Sequence, residues 1–308
     1  MKKQTKLYTG VITLMSILTL AACSQEASPK DNLVTMKGDA ITVSDFYKQA
    51  KDTTAGQQAM LTLVLERVFE EQYGKNVSDK EVTKAYNKQV DTYGSNFSAA
   101  LTSAGMTEET YKQQIRVEKL IEYAVEKAAK KELTDANYQK AYEKYSPEVS
   151  TQVIKLDDEK KAKSTLEQVK AEGADFAKIA KENSAEKTVD YKFDSSDNTL
   201  PTEVKDAAFK LKEGETSEVV QTTDMTTYQP TYYIIKTTKK EAKNSDWKTY
   251  KKRLTETILN EKKADSSFQN KVIAAALEKA NVKIKDKSFS NILANYNATT
   301  GSSSSASK

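Results

Sequence analysis

Val149-Ser-Thr-Gln-Val-Ile-Lys155 is a strand-like run near the start of residues 146–241, and the rest of the chain is arranged around this segment. A helix with regularly spaced apolar residues follows the run. Ala174-Asp-Phe-Ala-Lys-Ile-Ala-Lys-Glu-Asn183 then predicts a second helix, with Asp175 as its N-cap. The segment closes on Tyr232-Tyr-Ile-Ile-Lys-Thr237, whose aromatic and β-branched residues favour a strand. Strands and short helices over this length predict one compact α/β domain.

Three pieces of this segment resemble the parvulin family of peptidyl-prolyl isomerases. They are Gly173-Ala-Asp-Phe-Ala-Lys-Ile-Ala180, Asp206-Ala-Ala-Phe-Lys-Leu-Lys-Glu-Gly214 and Tyr233-Ile-Ile-Lys236, and they occur in the family's order within one domain length. The resemblance implies a parvulin-like domain over residues 146–241 with peptidyl-prolyl cis–trans isomerase (rotamase) activity. Rotation about an X–Pro bond requires no proton transfer and no covalent step, so neither a cofactor nor a metal is expected.

The active-site positions of the family are substituted in this chain. The family pattern places one histidine in the first strand and one in the last, whereas this sequence contains no histidine. The matching positions are Gln152 and Tyr233, and Asp190 matches the loop that precedes the substrate groove. The resemblance places the proline pocket at Phe193, Leu200, Val204 and Phe209. Because neutral amide and phenol groups both donate and accept hydrogen bonds, Gln152 and Tyr233 are expected either to replace the imidazole pair in part or to bond to each other, or to water, in an inactive groove.

Residues 1–22 have the pattern of a secretory signal peptide. A positively charged start precedes an apolar run over residues 11–20, which is too short to cross a membrane as a helix. The run ends in Leu20-Ala-Ala-Cys23, which resembles a bacterial lipobox. This resemblance implies that Cys23 carries acyl chains such as palmitate and holds the protein on the outer face of the cell membrane of a Gram-positive-type bacterium. The alternative is an ordinary cleaved signal.

The composition agrees with an exported protein. Loss of Lys2, Lys3 and Lys6 with the signal peptide lowers the formal net charge from +4 by three, to +1, which argues against a nucleic-acid partner. Cys23 is the only cysteine, so no disulfide forms within the chain. The lack of histidine and of a second cysteine excludes imidazole and thiolate metal sites as well as His-based catalytic triads.

Capped helices are predicted to fill most of residues 23–145. Ser78-Asp-Lys-Glu81 is a capping box, and Thr107 is expected to cap a longer helix. Residues 242–294 hold two apolar stripes that we expect to pack back onto these helices, because neither stripe can be buried by its own helix. The stripes are Trp247, Tyr250, Leu254 and Ile258, and Phe268, Val272, Ile273, Ala276 and Leu277. Residues 295–308 are low in complexity and predicted to be disordered.

Capped helices that lead into a parvulin-like unit resemble the extracytoplasmic foldases, the family of the Gram-positive lipoprotein foldases. We therefore predict an α+β protein in which N- and C-terminal segments form a composite helical chaperone domain and the parvulin-like domain is inserted between them. The predicted function is a membrane-anchored foldase for unfolded or partly folded exported polypeptides. Two alternatives are a pure holdase with a degenerate parvulin domain and a solute-binding lipoprotein, which would need two lobes of alternating strands and helices. The sequence leaves a homodimer open.

Overall fold

The computed structural model describes residues 28–225 and 227–297. The predicted signal peptide, Cys23 and most of the predicted tail lie outside this part of the chain. No helix in the described ranges combines the length and apolar character needed to cross a membrane.

The described residues form α-helices of 4 to 22 residues and two separate sheets. The strands are β1 (Asn32–Met36), β2 (Asp39–Thr42), β3 (Val149–Leu156), β4 (Asp190–Phe193), β5 (Val220–Thr223) and β6 (Pro230–Lys240). The helices are α1 (Val43–Ala50), α2 (Thr54–Tyr73), α3 (Asp79–Tyr93), α4 (Phe97–Ser103), α5 (Glu108–Ala129), α6 (Asp135–Lys144), α7 (Glu159–Lys170), α8 (Phe176–Asn183), α9 (Thr202–Lys210), α10 (Lys251–Ala264), α11 (Ser266–Lys279) and α12 (Ala294–Asn297).

The described chain divides into two compact units. The helical unit contains residues 28–132 and 259–297, and the central unit contains residues 133–258. The helical unit is thus built from two segments that are separated in the sequence. This confirms the predicted α+β architecture, in which a mixed domain is inserted into a composite helical one.

Local capping sets where several helices begin. Ser78 and Glu81 form the predicted capping box at α3, and Thr107 caps α5 through the backbone N–H of Thr110. Asp175 caps α8 in the same manner. These side chains accept hydrogen bonds from backbone donors that have no partner within the first helical turn, and this contact fixes the start of each helix.

The core of the helical unit lies between α2, α3, α5 and α11. Leu65, Phe69 and Leu120 are at most 1% exposed there. The second predicted stripe supplies Ile273, Ala276 and Leu277 to the same core, which confirms that the C-terminal segment packs onto the N-terminal helices. Tyr296 is also buried in this core and lies in α12, so the predicted disordered tail began too early.

The central unit contains a four-stranded antiparallel sheet with the order β4-β3-β6-β5. Each face of the sheet is apolar. One face is covered by α7 and α8, and its buried sheet residues are Ile154, Leu156, Tyr232 and Ile234. The other face is covered by α9, and its buried sheet residues are Val149, Val153, Phe193, Tyr233 and Ile235. The two central strands therefore bury side chains in both directions, as expected of strands covered on both faces.

The central unit extends beyond the predicted limits of 146 and 241. The stripe that begins at Trp247 does pack onto a helix from the N-terminal side of the sheet, but that helix is α6, which belongs to the central unit. Tyr138 of α6 stacks on Trp247 with 4.8 Å between the ring centroids, and Leu254 is fully buried beside it. This packing joins α6 to the segment over residues 247–258, and both belong to the central unit.

Candidate active site

Lys155 is the only charged residue of β3, a strand whose other positions are apolar or uncharged. Its side chain is 23% exposed. The strand register places Lys155 directly opposite Tyr233 of β6, and directly opposite residues of an antiparallel pair share one face of the sheet. Lys155 and Tyr233 therefore lie on the face covered by α9.

The segment after α8 folds back onto Lys155. The backbone N–H of Ala185 donates to the carbonyl of Lys155 at 2.8 Å, and Ser184 Oγ accepts the N–H of Lys155 at 3.2 Å. These bonds bring Glu186 to Lys155, whose Nζ donates to Glu186 Oε1 at 2.8 Å. Tyr191 of β4 donates its hydroxyl to Glu186 Oε2 at 2.9 Å. Lys155, Glu186 and Tyr191 are called the rim cluster below.

The rim cluster has a fixed charge state near neutral pH. Partial burial opposes ionisation of Glu186, but its hydrogen bonds with Lys155 and Tyr191 outweigh that effect and hold its pKa below the usual range. The same hydrogen bond to Glu186 raises the pKa of Lys155. Burial, followed by the bond to Glu186, raises the pKa of the Tyr191 phenol. The cluster is thus an ion pair with an added neutral donor, and its carboxylate is still 46% exposed.

An apolar floor lies beside this rim. Tyr233 is 7% exposed, and Val153 next to it is 2% exposed. Burial raises the pKa of the Tyr233 phenol, so this hydroxyl stays protonated. Among the described residues, no hydrogen bond from a side chain or backbone group engages the Tyr233 hydroxyl, which remains available as a donor or acceptor.

Two of the predicted catalytic residues lie elsewhere. Gln152 donates to Asp190 Oδ1 at 3.2 Å, and the two residues face each other across β3 and β4. Gln152 is three positions from Lys155 in the same strand, so its side chain is on the face covered by α7 and α8. The expected pairing of Gln152 with Tyr233 is therefore wrong, because side chains alternate and the sheet separates the two.

The predicted loop around Asp190 is also different. Asp190–Phe193 is the strand β4, which pairs with β3 along its whole length, rather than a loop before a groove. Phe193 points to the α9 face, where its ring meets that of Phe209 edge-on at 5.6 Å. The strand forms because Tyr191 and Phe193 both find a buried neighbour on one face while Asp190 stays exposed on the other.

The four predicted pocket residues do come together. Phe193, Leu200, Val204 and Phe209 all belong to the apolar cluster under α9. Val204 has no exposed surface and Phe193 is 1% exposed, so these two side chains are part of the closed core rather than an accessible pocket wall. Leu200, at 9% exposed, and the partly buried Phe209 lie nearer the surface. Tyr233, Leu200, Phe209 and the rim cluster are therefore the parts of this face that lie nearest the surface.

The sequence carried a signal for the rim cluster that a motif search misses. Lys155 interrupts the buried run Val153-Ile-Lys-Leu156, and a lysine inside such a strand needs a partner because burial of an unpaired ammonium is costly. Glu186 lies in the polar segment Ser184-Ala-Glu-Lys187, and nothing in that segment marks it as the partner of Lys155. Only the chain reversal after α8 brings it back to β3, and there Ser184 Oγ accepts the backbone N–H groups of Lys155 and Glu186.

A second ionic group, formed by Asp194, Asp197 and Arg253, lies next to the face covered by α9. Asp194, directly after β4, accepts hydrogen bonds from Arg253 Nε at 2.5 Å and from the Tyr145 hydroxyl at 3.1 Å. Arg253 also pairs with Asp197 at 2.6 Å. Burial opposes ionisation of Asp194, yet the bonds from Arg253 and Ser196 hold its pKa below the usual value. Asp194, Asp197 and Arg253 are called the clamp below. The clamp fixes the connection from β4 to α9, which contains Leu200.

These groups can act on a prolyl bond without a titrating catalyst. Amide resonance sets a rotation barrier of roughly 18–20 kcal/mol and makes the planar imide more polar than the twisted one. An apolar floor that excludes water from the imide therefore favours the twisted state. A neutral donor such as the Tyr233 hydroxyl can bond the imide nitrogen, whose lone pair becomes available only when the bond is twisted.

Comparison with known proteins gives a consistent result. A family model for the PPIC-type PPIase domain matches residues 132–252, and these limits agree with the inclusion of α6 in the central unit. Foldase protein PrsA of Streptococcus agalactiae is 62% identical over 306 residues, which cover 99% of each chain. Foldase protein PrsA of Streptococcus mutans is 57% identical over 301 residues, which cover 98% of this chain and 90% of that relative.

Solved structures resemble the whole described chain. The crystal structure of foldase protein PrsA from Streptococcus pneumoniae superposes with a TM-score of 0.80 at 43% sequence identity, and the match covers 86% of this chain and 99% of that one. Foldase protein PrsA from Lactococcus lactis gives a TM-score of 0.65 at 37% identity, with coverage of 87% and 99%. The similarity therefore extends over both units.

Proposed function

This chain belongs to the PrsA family of foldase proteins and carries a peptidyl-prolyl isomerase domain of the PPIC type, and from this premise we propose that it is a lipid-anchored foldase working outside the cytoplasmic membrane. Its clients are newly exported polypeptides that are not yet folded. The helical unit holds their exposed apolar segments, and the central unit speeds proline isomerisation. Uncatalysed isomerisation takes about 10–100 s, which is long for an unfolded chain exposed to proteases.

The observation that carries the isomerase proposal is the rim cluster beside an apolar floor. Lys155, Glu186 and Tyr191 keep one ion pair at the surface of an otherwise apolar face. A prolyl segment lying on Tyr233, Leu200 and Phe209 would lose water on its floor side while its polar backbone met the rim. This arrangement supplies transition-state stabilisation through binding alone, without general acid or base chemistry.

A protease-coupled assay on a short peptide with one X–Pro bond tests this proposal. Removal of the hydroxyl in Tyr233→Phe keeps the ring and should lower kcat/KM about fivefold, as expected for one hydrogen bond worth about 1 kcal/mol. Gln152→Ala is the matched control, because it removes a polar side chain from the opposite face of the same sheet and should leave the rate unchanged. Equal losses from both variants, or none from Tyr233→Phe, would contradict the assignment.

The anchor is proposed on the sequence around Cys23. Two acyl chains give stable attachment where a single one is marginal, since each buried CH₂ contributes about 0.8 kcal/mol. Cys23→Ala should therefore leave an uncleaved precursor or release the protein into the medium. Fractionation of the expressing bacterium checks this. Normal processing and membrane retention of Cys23→Ala would remove the anchor from the proposal.

A pure holdase is the second candidate, and one observation favours it. Val204 and Phe193, which the family resemblance places in the proline pocket, are closed inside the core of the α9 face. A low isomerase rate together with full suppression of client aggregation would be the result expected of a holdase. In that case aggregation should be suppressed equally by wild type and Tyr233→Phe. Whether the protein acts as a homodimer stays a prediction.

A further inference from the structure

The β1–β2 hairpin stands apart from the core of the helical unit. None of its residues is buried, and every residue of β1 is exposed. The core of the unit is assembled from α2 onward and includes no hairpin side chain. The hairpin therefore gains little stability from packing against the rest of the described chain. Isolated two-stranded hairpins are at best marginally stable in water.

The exposed side chains of the hairpin are large and apolar. Val34 and Ile41 are directly opposite each other, and Met36 lies on the same face two residues along. Leu33 occupies the bulge between the paired residues. These four side chains, called the hairpin patch, are 41–50% exposed. Six of the ten large apolar side chains that the described residues leave exposed fall within residues 33–47.

The geometry argues against another protein chain as the occupant of the patch. The bulge after Asn32 breaks the regular backbone ladder, and a broken ladder is a poor template for an added strand. A five-residue ribbon of two strands offers a face of about 17 by 10 Å, far below the roughly 800 Å² per partner that a stable protein interface buries. The patch is too small to hold a second copy of this chain.

The length of chain between the hairpin and Cys23 points to lipid instead. Residues 24–31 connect Cys23 to the hairpin, so even a fully extended connection keeps the patch within about 35 Å of an anchor at Cys23. Tethering of this kind supplies a high effective concentration of the bilayer without a large contact area. Residues 30–52 contain four lysines and four aspartates, so the region has no excess charge that would require anionic lipid.

We propose that the hairpin patch is a membrane-contact surface that seats on the lipid bilayer to which Cys23 tethers the chain. The inference rests on the proposed lipid anchor and goes beyond it, since it assigns a second, non-covalent contact to a folded element. The aliphatic side chains enter the acyl boundary, and Lys30 and Lys37 extend their stems along it while their ammonium groups stay in water. The contact sets the position of the first folded residues at the membrane surface.

Photo-crosslinking in the expressing bacterium tests the proposal on the full chain. Val34 is replaced by p-benzoylphenylalanine, and the membrane lipids carry clickable acyl chains. The matched control places the same probe at Leu63, which is 48% exposed on α2 of the same unit. We expect lipid adducts from position 34 at a several-fold higher yield than from position 63.

Each outcome separates the hairpin from the anchor. A chain that is retained in the membrane fraction and gives lipid adducts at position 34 supports both. Retention without such adducts, equal adducts at position 63, or adducts to a second copy or to client polypeptides instead of lipid, overturns the membrane-contact surface and leaves the anchor intact. Release of the wild-type chain into the medium overturns both.

A polar variant gives an independent measurement. Val34→Thr, Met36→Thr and Ile41→Thr together keep β-branched or short side chains in the strands and remove the apolar patch. Because none of the three is buried, the unfolding temperature should stay the same. Lipid adducts from a probe at Leu33 should fall several-fold in this variant. Unchanged adducts would show that the apolar side chains do not make the contact.

Discussion

The two faces of the central sheet have the same scaffold and different chemistry. The face under α7 and α8 is an apolar core formed around Ile154 and Ile234, both fully buried. The face under α9 is equally apolar at Val153 but ends in the rim cluster, with a partly exposed carboxylate at Glu186. One face therefore contributes stability, and the other combines stability with a site that can contact a client.

The difference teaches how much depends on strand register. Val153 and Ile154 are neighbours in sequence, yet alternation sends one to each face. Gln152 and Tyr233 were expected to act together, but the register places them on opposite faces of the sheet. A one-residue slip in β3 would exchange every inward and outward side chain of the strand.

The largest expected effect comes from the core of the α7–α8 face. Ile154→Ala should lower the free energy of unfolding by about 3 kcal/mol, through lost burial and the cavity that remains. Its kcat/KM, measured where the variant is still folded, should equal that of wild type.

Val153→Ala on the other face should cost about 2 kcal/mol and also alter kcat/KM, because it opens the floor beside Tyr233. Denaturant unfolding together with the peptide assay separates the two. Equal effects of both variants on the rate would show that the faces are not functionally distinct.

Loss of the clamp gives the next largest effect on the free energy of unfolding. Arg253→Met leaves Asp194 largely buried without its cation. Because the Arg253 side chain is 34% exposed, we expect a cost of about 2 kcal/mol, below that of breaking a fully buried pair. The variant should unfold at lower denaturant concentration and lose isomerase activity in parallel. Arg67→Met is the matched control, since Arg67 is an exposed arginine on α2 of the helical unit and should change stability by less than about 0.5 kcal/mol.

The clamp also predicts an acid limit with a defined sign. The folded-state pKa of Asp194 is lowered, so its contribution is complete above the unfolded pKa of about 3.9 and is lost as the pH falls through the folded value. Wild-type stability should therefore decline below about pH 4 more steeply than that of Arg253→Met. Unfolding curves between neutral and acid pH measure the difference. Parallel declines in the two proteins would exclude Asp194 as a source of the acid dependence.

A smaller effect distinguishes the rim cluster from ordinary surface charge. Glu186→Gln keeps the shape of the side chain, removes its negative charge and leaves the ammonium of Lys155 without a counter-ion. We expect kcat/KM to fall about tenfold, equivalent to about 1.4 kcal/mol, with a smaller loss of stability because Glu186 is 46% exposed. Glu182→Gln removes the same charge from an exposed position on α8 and should have no effect on the rate. A rate change shared by both variants would indicate a general electrostatic effect.

Local signals in the sequence predicted much of the fold correctly. Ser78, Thr107 and Asp175 begin helices because each cap depends on residues within one turn, and such contacts are visible in sequence alone. The packing of the stripe at Ile273 onto the helical core was predicted correctly, because the spacing of its apolar residues allows only one buried face of the helix. The two-segment helical unit followed from these elements.

Three features that depend on contacts between distant residues were not predicted. Val153 and Ile154 are both fully apolar, so β3 shows no alternation from which its register could be inferred. Tyr138 and Trp247 stack although more than a hundred residues separate them, and this contact moved the domain limit. Glu186 reaches Lys155 only after two helices, α7 and α8, and a chain reversal. In each case tertiary contacts decided the outcome.

The smallest expected effect is that of pH on the isomerase rate. The chain contains no histidine, and the groups around the floor have pKa values that lie outside the neutral range. Glu186 has a lowered pKa and stays ionised, while the pKa values of Lys155, Tyr191 and Tyr233 are raised and these groups stay protonated. We therefore expect kcat/KM to vary by less than about twofold between about pH 5 and 8, unlike a site that depends on imidazole.

Below that window the rate should fall as Glu186 gains a proton and its ion pair with Lys155 is lost. Glu186→Gln should remove this acid fall, since the variant has no carboxylate there to titrate. A rate profile with a midpoint near neutral pH would contradict the assignment of the rim cluster and point to a titrating group that this face does not contain.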